Sequence, residues 1–196
     1  MKLPLGVTLK KIILASSSPR RRELLTKITK DFEIVTLTFD ESKFSLSTNP
    51  ISIENLSLSK AKSISIKLTI SALVISADTV VIYGDRIMGK PKSREDAYDM
   101  IKTLSGKTHH VITGVAVVDA ESGKYETSHG TTYVTFNELS DEDIYGYIDG
   151  KKPYDKAGAY GIQELPENFV KSIDGEFDNV MGLPTKILIN ILEDMK

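Results

Sequence analysis

The chain of 196 residues contains no cysteine and no tryptophan, and only 7% of its residues are aromatic. The absence of cysteine excludes disulfide bonds, thiol catalysis and cysteine-ligated zinc, and it is consistent with a reducing compartment. The three histidines, His109, His110 and His129, do not have the spacing of a zinc-binding helix pair. A metal would therefore be held by carboxylate oxygens, which favours magnesium or manganese.

The chain also lacks a strong net charge and a long apolar run. Its formal net charge is -2, so a polyanionic ligand would need a local basic site, and we expect no nucleic-acid partner. The apolar stretch at residues 12–15 is far too short for a signal-peptide core or a membrane span. We therefore expect a cytoplasmic protein that does not associate with a membrane.

Strand and helix patterns are mixed along the chain, which predicts an α/β protein with a twisted central sheet. Strands are predicted at residues 12–15, 32–39, 73–83, 111–118 and 125–136, with a hairpin turn at Gly84-Asp85. Helices are predicted to begin at Pro19 and at Ser93, where Ser93 and Asp96 resemble a capping box, and to span residues 53–68, 140–147 and 184–195. No internal repeat is present.

Three arginines occupy positions that a helix dipole disfavours. Ser18 and Pro19 predict a helix start, and Arg20, Arg21 and Arg22 follow in the first turn. The free backbone N–H groups of a first turn favour an anion, and arginine binds phosphate oxygens bidentately. The segment is either a phosphate cradle or a solvated surface turn, and Arg22 is the best candidate for a bystander.

Asp78 interrupts a β-branched run that otherwise predicts a buried strand. A lone buried carboxylate is expensive to keep ionised, so it needs a metal, a cation or a cleft nearby. The alternative is an aspartate at a bulge or strand end that caps a neighbouring backbone group. Glu41, which follows the strand predicted at residues 32–39, either joins Asp78 in binding a metal or lies on the surface.

Lys60 lies in an apolar helical stripe with Ile53, Leu56 and Ile64. A lysine on such a face either extends to the rim of the core or points into a charged cleft. Lys90 lies in a loop, where a lysine is usually solvated. Neither lysine alone indicates a function.

Seven segments resemble, in order, the Maf family of nucleotide pyrophosphatases. They are LASSSPRR at residues 14–21, KA at 60–61, ADT at 77–79, GKP at 89–91, LSGKTH at 104–109, DKAGAYGIQ at 155–163 and NVMGLP at 179–184. The resemblance implies a single domain of residues 1–196, with an α/β fold and two lobes around a deep cleft. It also implies hydrolysis of a nucleoside triphosphate between the α and β phosphates, with a divalent cation, Mg²⁺ or Mn²⁺, as cofactor.

Roles for individual residues follow from the same resemblance. Ser16, Arg21, Lys60 and Lys90 would bind the triphosphate. Glu41 and Asp78 would bind the metal, and Asp78 would be the general base. The oligomeric state is left open, with a homodimer as one alternative.

Three further positions distinguish two branches of the family. Arg20, Thr79 and Gln163 match the branch that acts on dTTP and UTP, whereas the branch that prefers 7-methyl-GTP has Trp, Gln and Glu there. A glutamine amide both donates to and accepts from a pyrimidine edge, which suits this choice chemically. We therefore expect dTTP and UTP as preferred substrates, with modified pyrimidine nucleotides as an alternative.

Two other classes of function share some of these residues. A non-catalytic nucleotide-binding regulator would need the phosphate cradle but not Asp78 and Glu41 together. A module that binds nucleic acid would need a broad basic face and stacking aromatics. The presence of both acidic residues favours an enzyme.

Overall fold

The computed structural model describes residues 10–41 and 44–195. The strands are β1 (Lys11–Leu14), β2 (Glu33–Ile34), β3 (Ala72–Tyr83), β4 (Arg86–Met88), β5 (Thr108–Asp119), β6 (Tyr125–Phe136) and β7 (Val170–Asp174). The helices are α1 (Pro19–Thr26), α2 (Pro50–Ser65), α3 (Arg94–Leu104), α4 (Asp141–Lys151), α5 (Phe177–Met181) and α6 (Thr185–Asp194). Two 3-10 turns, Ala157–Ala159 and Ile162–Glu164, lie between α4 and β7. Within the described ranges, no helix is both long enough and apolar enough to cross a membrane.

The strands form one mixed sheet in the order β2-β1-β3-β5-β6-β7, and β4 pairs with β3. Strand β1 is parallel to β2 and to β3, whereas the other pairs are antiparallel. Helix α2 packs against β3 and β5, and helices α5 and α6 pack against β5 and β6. The predicted α/β class, with a mixed central sheet flanked by helices, is therefore confirmed. The extent of the domain, residues 1–196, stays a prediction.

Strand β3 is buried on both faces, and its side chains alternate between two apolar clusters. Ile75 packs in a cluster with residues of α1 and α6, whereas Val74 packs in a cluster with residues of α2. Successive side chains of a strand point to opposite faces of the sheet. Asp78 therefore points to the side of α2, and Thr79 points to the side of α1.

Helix α2 approaches strand β5 closely at Gly114. A Cβ atom at this position would lie 2.7 Å from backbone atoms of Ile53 and Glu54, so only glycine permits the approach. Gly114 pairs with Asp78 between strands β5 and β3. The contact therefore brings α2, and with it Lys60, close to Asp78.

One edge of β3 is interrupted in the middle of the strand. Strand β1 pairs with residues 72–75 of β3, and β4 pairs with residues 81–83. Among the described strands, none pairs with residues 76–80 on that edge, although β5 pairs with them on the other edge. Because β1 ends at Leu14 and the chain turns into α1, a cleft opens at this gap.

The strand predicted at residues 32–39 is wrong in its extent, because β2 includes only Glu33 and Ile34. These two residues pair with Ile13 and Leu14, the last residues of β1. Beyond Leu14 the chain no longer runs beside this segment, so residues 36–39 have no strand to pair with in the described part of the sheet. Part of the segment lines the cleft instead.

The predicted helices are present with shifted ends. Helix α2 begins at Pro50, earlier than predicted, because Asn49 Oδ1 accepts a hydrogen bond from the Ile51 backbone N–H at 3.0 Å. Helix α4 continues beyond the predicted end at residue 147 and is followed by Lys152, which has a left-handed backbone with φ of 48°. Cap geometry at each end therefore overrides the apolar periodicity from which the bounds were predicted.

The capping box predicted at the start of α3 is wrong in one of its two hydrogen bonds. Ser93 Oγ accepts from the Asp96 backbone N–H at 3.1 Å, as predicted. The Asp96 carboxylate, however, accepts from the Lys92 backbone N–H at 2.8 Å instead of from Ser93. The hydroxyl cap alone is therefore confirmed.

Candidate active site

A cleft of about 580 Å³ opens at the interrupted edge of β3. Its walls come from the Ser-rich turn before α1, from α2, from the loop after β4 and from the two 3-10 turns. All predicted site residues except Gln163 line it, namely Ser16, Arg20, Arg21, Glu41, Lys60, Asp78, Thr79 and Lys90. A cleft of this size suits a small-molecule ligand.

The first turn of α1 directs Arg21 toward the cleft. Ser18 Oγ accepts from the Arg21 backbone N–H at 3.4 Å, and Pro19 begins the helix. The Arg21 guanidinium donates from Nε to the Gly182 carbonyl oxygen at 2.8 Å and from Nη1 to Ser16 Oγ at 3.4 Å. These contacts fix the orientation of a half-buried cation at the cleft wall.

The neighbouring arginines have different surroundings. Arg20 lines the cleft, and its Nη1 lies 3.7 Å from Asp155 Oδ2. Arg22 is exposed and does not line the cleft. Arg20 and Arg21 therefore both line the cleft, whereas Arg22, which the sequence predicted to be a bystander, does not.

Lys60 contacts both predicted acidic residues. Its Nζ donates a hydrogen bond to Asp78 Oδ1 and another to Glu41 Oε1, the latter at 2.8 Å. Asp78 is only 8% exposed, and its Oδ2 atom is buried without a hydrogen-bond partner in the described part of the chain. Lys60 therefore points into a charged cleft and does not extend to the rim.

The two carboxyl groups have pKa shifts in opposite directions. Burial raises the pKa of Asp78, although the charges of Arg21 and Lys60 act against this rise. Burial also acts to raise the pKa of Glu41, but the hydrogen bond and charge of Lys60, with the charge of Lys90, bring that pKa below its ordinary value. A raised pKa suits a group that accepts a proton, and a lowered pKa suits a group that stays ionised.

Ser16, Lys90 and Thr79 complete the set that the cleft brings together. Ser16 is buried, and its Oγ accepts from the Ser18 backbone N–H at 3.2 Å. Lys90 is exposed in the loop that follows β4. Thr79 Oγ1 accepts from Arg21 Nη2 at 3.3 Å.

Gln163 does not reach the cleft. It is exposed in the second 3-10 turn, and its neighbour Ile162 lines the cleft whereas Gln163 does not. A role for Gln163 in reading the base therefore stays a prediction from the sequence resemblance.

A family model described as Maf-like protein matches residues 11–195. The chain belongs to the Maf-like family. A dTTP/UTP pyrophosphatase of Thermoanaerobacter sp. (strain X514) is 44% identical to this Maf-like chain over 184 residues, which are 93% of the chain and 95% of that protein. A dTTP/UTP pyrophosphatase of Alkaliphilus oremlandii (strain OhILAs) is 48% identical over 176 residues, or 90% of the chain and 91% of that protein. The solved structure of the Staphylococcus aureus Ham1 protein covers 95% of the chain and 100% of its own, with a TM-score of 0.52 at 14% identity, and shows a similar fold.

The cleft of the Maf-like chain includes a lysine to which the sequence assigns no role. Lys156 is 7% exposed, donates from Nζ to Asp155 Oδ1 at 2.7 Å and lies 3.4 Å from Glu164 Oε2. A Cβ atom on Gly161 would lie 2.9 Å from the Lys156 side chain, so the glycine gives this lysine its space. The segment has no helical or strand periodicity, and no local signal therefore indicates that Lys156 is buried.

Two further polar residues of the Maf-like chain lie behind the cleft wall and were also missed. Thr113 Oγ1 lies 2.9 Å from Thr79 Oγ1 and donates to the Asn179 carbonyl oxygen at 2.8 Å. Thr113 directly opposes Thr79 in the pairing of β5 with β3. This pairing is the signal that could have identified Thr113, and it is visible only once the register is known.

The carboxylates of the Maf-like chain fit a divalent cation. Among the residues that the structure describes, no group of three or more His, Asp or Glu side chains is placed to hold a metal. Glu41 and Asp78 nevertheless converge on one ammonium group, and Asp78 Oδ2 is a buried oxygen without a hydrogen-bond partner in the same described ranges. Mg²⁺ and similar hard cations are often held by one or two carboxylates, with phosphate oxygens and water as the other ligands. The donor set therefore fits a cation that binds together with a phosphorylated ligand.

Proposed function

We propose that this Maf-like protein hydrolyses nucleoside triphosphates, with a preference for dTTP and UTP, to the monophosphate and pyrophosphate. The observation that carries the proposal is the environment of Asp78, a buried carboxylate with one unpaired oxygen, as far as the described residues show, in a cleft lined by Arg20, Arg21, Lys60 and Lys90. Support comes from the dTTP/UTP pyrophosphatases that match nearly the whole chain. Because such nucleotides are cytoplasmic, we assign the protein to the cytoplasm.

In this proposal the cations and Ser16 bind the triphosphate. Arg21 presents a planar fork of N–H groups that suits two phosphate oxygens, whereas Lys60 and Lys90 act as point charges. Negative charge grows on the departing pyrophosphate as the bond to the α phosphorus breaks. Cations that are already fixed at the cleft wall stabilise this charge without reorganising during the reaction.

Asp78 is the proposed general base. Lys60 holds Oδ1, which leaves Oδ2 to accept a hydrogen bond from a water molecule beside the α phosphorus. As the water oxygen bonds to phosphorus, its proton passes to Oδ2, and the bridging oxygen leaves with the pyrophosphate. Burial raises the pKa of Asp78, which makes it a better proton acceptor.

We propose Glu41 and Asp78 as the residues that hold Mg²⁺ or Mn²⁺. Such a cation supplies positive charge to the phosphate oxygens when it is bound. Glu41 stays ionised because its hydrogen bond from Lys60 and the nearby cationic charges lower its pKa. An ionised carboxylate is the form that a hard cation binds.

We propose that Arg20, Thr79 and Gln163 set the preference for pyrimidines. The positions of Arg20 and Thr79 at the cleft wall support this role, whereas the assignment of Gln163 rests on the resemblance alone. The variant Gln163→Ala tests the third residue separately. A changed ratio of dTTP to GTP hydrolysis would support its role, and an unchanged ratio would remove it.

Product analysis with a panel of nucleoside triphosphates tests the proposed function. The panel contains dTTP, UTP, a modified pyrimidine triphosphate, GTP and 7-methyl-GTP, each with and without Mg²⁺ or Mn²⁺. We expect metal-dependent release of monophosphate and pyrophosphate, faster from dTTP and UTP than from GTP by about tenfold or more. Release of orthophosphate and a diphosphate would contradict the proposed bond cleavage, and binding without hydrolysis would favour a regulator. Faster release from the modified nucleotide would instead indicate removal of modified pyrimidine nucleotides.

A further inference from the structure

We propose that Thr113 and Asn179, neither of which lines the cleft, are positioning residues that orient Arg21 for the phosphates through the hydroxyl of Thr79. The proposal rests on the proposed function insofar as Arg21 binds the triphosphate. It adds two buried residues from β5 and α5 to the machinery. It also changes how residue 79 acts on the substrate.

The hydroxyl protons in this network have one consistent direction. Thr113 has a single hydroxyl proton, and it donates that proton to the backbone carbonyl oxygen of Asn179 at 2.8 Å. The contact of 2.9 Å between the Thr79 and Thr113 hydroxyls is therefore a hydrogen bond that Thr79 donates. Thr79 Oγ1 then has its lone pairs left to accept from Arg21 Nη2, at 3.3 Å.

The hydrogen bonds from Arg21 to Thr79, from Thr79 to Thr113 and from Thr113 to the Asn179 backbone form a relay. Asn179 is held firmly enough to serve as its end. It is 1% exposed, and its Nδ2 donates to the Val111 carbonyl oxygen at 3.0 Å and to Thr132 Oγ1 at 3.1 Å. These partners lie on β5 and β6, so the side chain ties α5 to two strands of the sheet. The Asn179 carbonyl oxygen therefore has a defined position relative to Thr113.

The C-terminal end of α5 also holds Arg21 directly. Gly182 follows the helix and has a φ of 111°. Its backbone carbonyl oxygen accepts a hydrogen bond from Arg21 Nε at 2.8 Å. A Cβ atom on Gly182 would lie 3.2 Å from Thr79 Oγ1 and 3.5 Å from Arg21 Nε, so a side chain here would crowd both partners. The end of one short helix thus orients the guanidinium twice, once directly and once through the two threonines.

This arrangement leaves specific N–H groups of Arg21 for a ligand. A guanidinium has five N–H groups, and in the described structure three of them donate to Gly182, Ser16 and Thr79. One N–H on each terminal nitrogen remains, which is the pair that a bidentate phosphate contact uses. Because the orientation is set before binding, less conformational entropy is lost when phosphate binds.

The relay also commits the Thr79 hydroxyl. Its proton is donated to Thr113 and its lone pairs accept from Arg21, so the hydroxyl is not free to donate to a base. Residue 79 therefore acts on the substrate through the position of Arg21 and through the space that it leaves at the cleft wall, and not by donating a hydrogen bond to the base. A longer side chain at this position would break the relay as well as occupy the cleft.

The variant Thr113→Val tests the proposal, because it keeps the shape of a fully buried side chain and removes only the hydroxyl. We expect kcat/KM for dTTP to fall by about tenfold, and the affinity for inorganic pyrophosphate, measured by calorimetry, to fall similarly. Thr113→Ser should restore both to within about twofold of the wild-type values, because it restores the hydroxyl. Thr135→Val is a matched control, since it removes a hydroxyl from another threonine pair between β5 and β6, Thr108 and Thr135, and it should change neither quantity.

A second pair of measurements separates positioning from a general loss of structure. In an Arg21→Ala background, Thr113→Val should lower pyrophosphate affinity by less than about twofold, because the group that Thr113 orients is gone. An equal loss in both backgrounds, or no loss in either, would overturn the proposal. If Thr113→Val does not fold, Thr113→Ala takes its place in the same comparison. The binding measurements decide the matter even if the wild-type protein hydrolyses no triphosphate, which would overturn only the proposed function.

Discussion

Lys60 Nζ donates a hydrogen bond to Asp78 Oδ1, so that a cation on α2 and a carboxylate on β3 meet in the cleft. Both side chains are largely buried, and Lys60 has Glu41 as a second partner whereas Asp78 Oδ2 has none among the described residues. The pair is therefore asymmetric. Loss of Lys60 leaves the buried Asp78 carboxylate without its hydrogen-bonded cation, although the charge of Arg21 still acts on it. Loss of the Asp78 charge leaves Lys60 paired with Glu41.

The asymmetry predicts different effects of two substitutions on stability. Lys60→Met should lower the free energy of unfolding by about 3 kcal/mol, because it removes the cation that is hydrogen-bonded to the buried Asp78 carboxylate, and the charge of Arg21 offsets this loss only in part. Asp78→Asn should change it by less than about 1 kcal/mol, because Lys60 keeps its ion pair with Glu41. Urea denaturation of both variants at the same neutral pH measures the difference.

The double variant provides the control for this prediction. Lys60→Met combined with Asp78→Asn should recover most of the loss caused by Lys60→Met, because no buried charge is then left unpaired. Glu41 also loses Lys60, but its carboxylate is exposed to solvent. Two single variants that lose equal stability, with additive effects in the double variant, would show that the two groups are not coupled.

Catalysis should depend on Asp78 far more than binding does. Asp78→Asn keeps an oxygen that can accept from Lys60 but removes the base and one charged metal ligand. We expect kcat for dTTP to fall by about 1,000-fold, while the dissociation constant measured without metal changes by less than about threefold. Steady-state kinetics and calorimetry give the two quantities. Asp155→Asn makes the same chemical change at an exposed position in the same cleft and should lower kcat by less than about fivefold. Near-normal turnover of Asp78→Asn would remove the general-base role.

Local signals in the sequence predicted several parts of the site. Ser18 and Pro19 marked the start of α1, and the helix cap is present. The apolar stripe that contains Lys60 predicted that this lysine lies on the inward face of the helix, and Lys60 does contact Asp78 there. These predictions succeeded because a cap and a helical stripe depend on residues within one or two turns of each other.

Features that depend on pairing between distant segments could not be predicted in this way. The strand predicted from Phe32 to Phe39 is short because its partner β1 ends early, and nothing within the segment records where β1 ends. Thr113 contacts Thr79 only through the register of β5 on β3. The burial of Lys156 and the exposure of Gln163 follow from two irregular turns, for which periodicity gives no information.

Two glycine substitutions should change stability in opposite directions. Gly114 lies where α2 approaches the sheet closely, whereas Gly146 faces open space. Gly114→Ala would place a Cβ atom 2.7 Å from the backbone of Ile53 and Glu54, so α2 must shift. We expect a loss of about 3 kcal/mol in the free energy of unfolding. Gly146→Ala, at an exposed position inside α4 where a Cβ atom meets nothing within 4 Å, should gain about 0.5–1 kcal/mol. Thermal or urea denaturation compares the two, and similar changes in both variants would contradict the packing at Gly114.

The buried imidazole of His109 should make stability depend on pH. His109 is 1% exposed, its Nε2 lies 2.8 Å from the Tyr160 hydroxyl oxygen, and Nδ1 is buried with no hydrogen-bond partner in the described structure. Burial, with a smaller contribution from His110, lowers the pKa of His109 from 6.5 to about 4. Protonation therefore favours the unfolded state, in which the pKa is near its ordinary value.

The shift determines where this stability is lost. The contribution of His109 is complete above about pH 6.5 and decreases as the pH falls toward about 4, because the unfolded chain binds the proton first. Over that range the loss is about 3 kcal/mol. We expect His109→Gln, which does not titrate, to show a smaller decrease in the free energy of unfolding between about pH 7 and about pH 4.5 than the wild type. His110→Gln is the matched control on the same strand and should keep most of the wild-type decrease. His110 is only half-buried, so burial lowers its pKa less strongly than that of the fully buried His109. Carboxylates that titrate in this range act equally in all three proteins, so an unchanged decrease in His109→Gln would show that the imidazole is not the source.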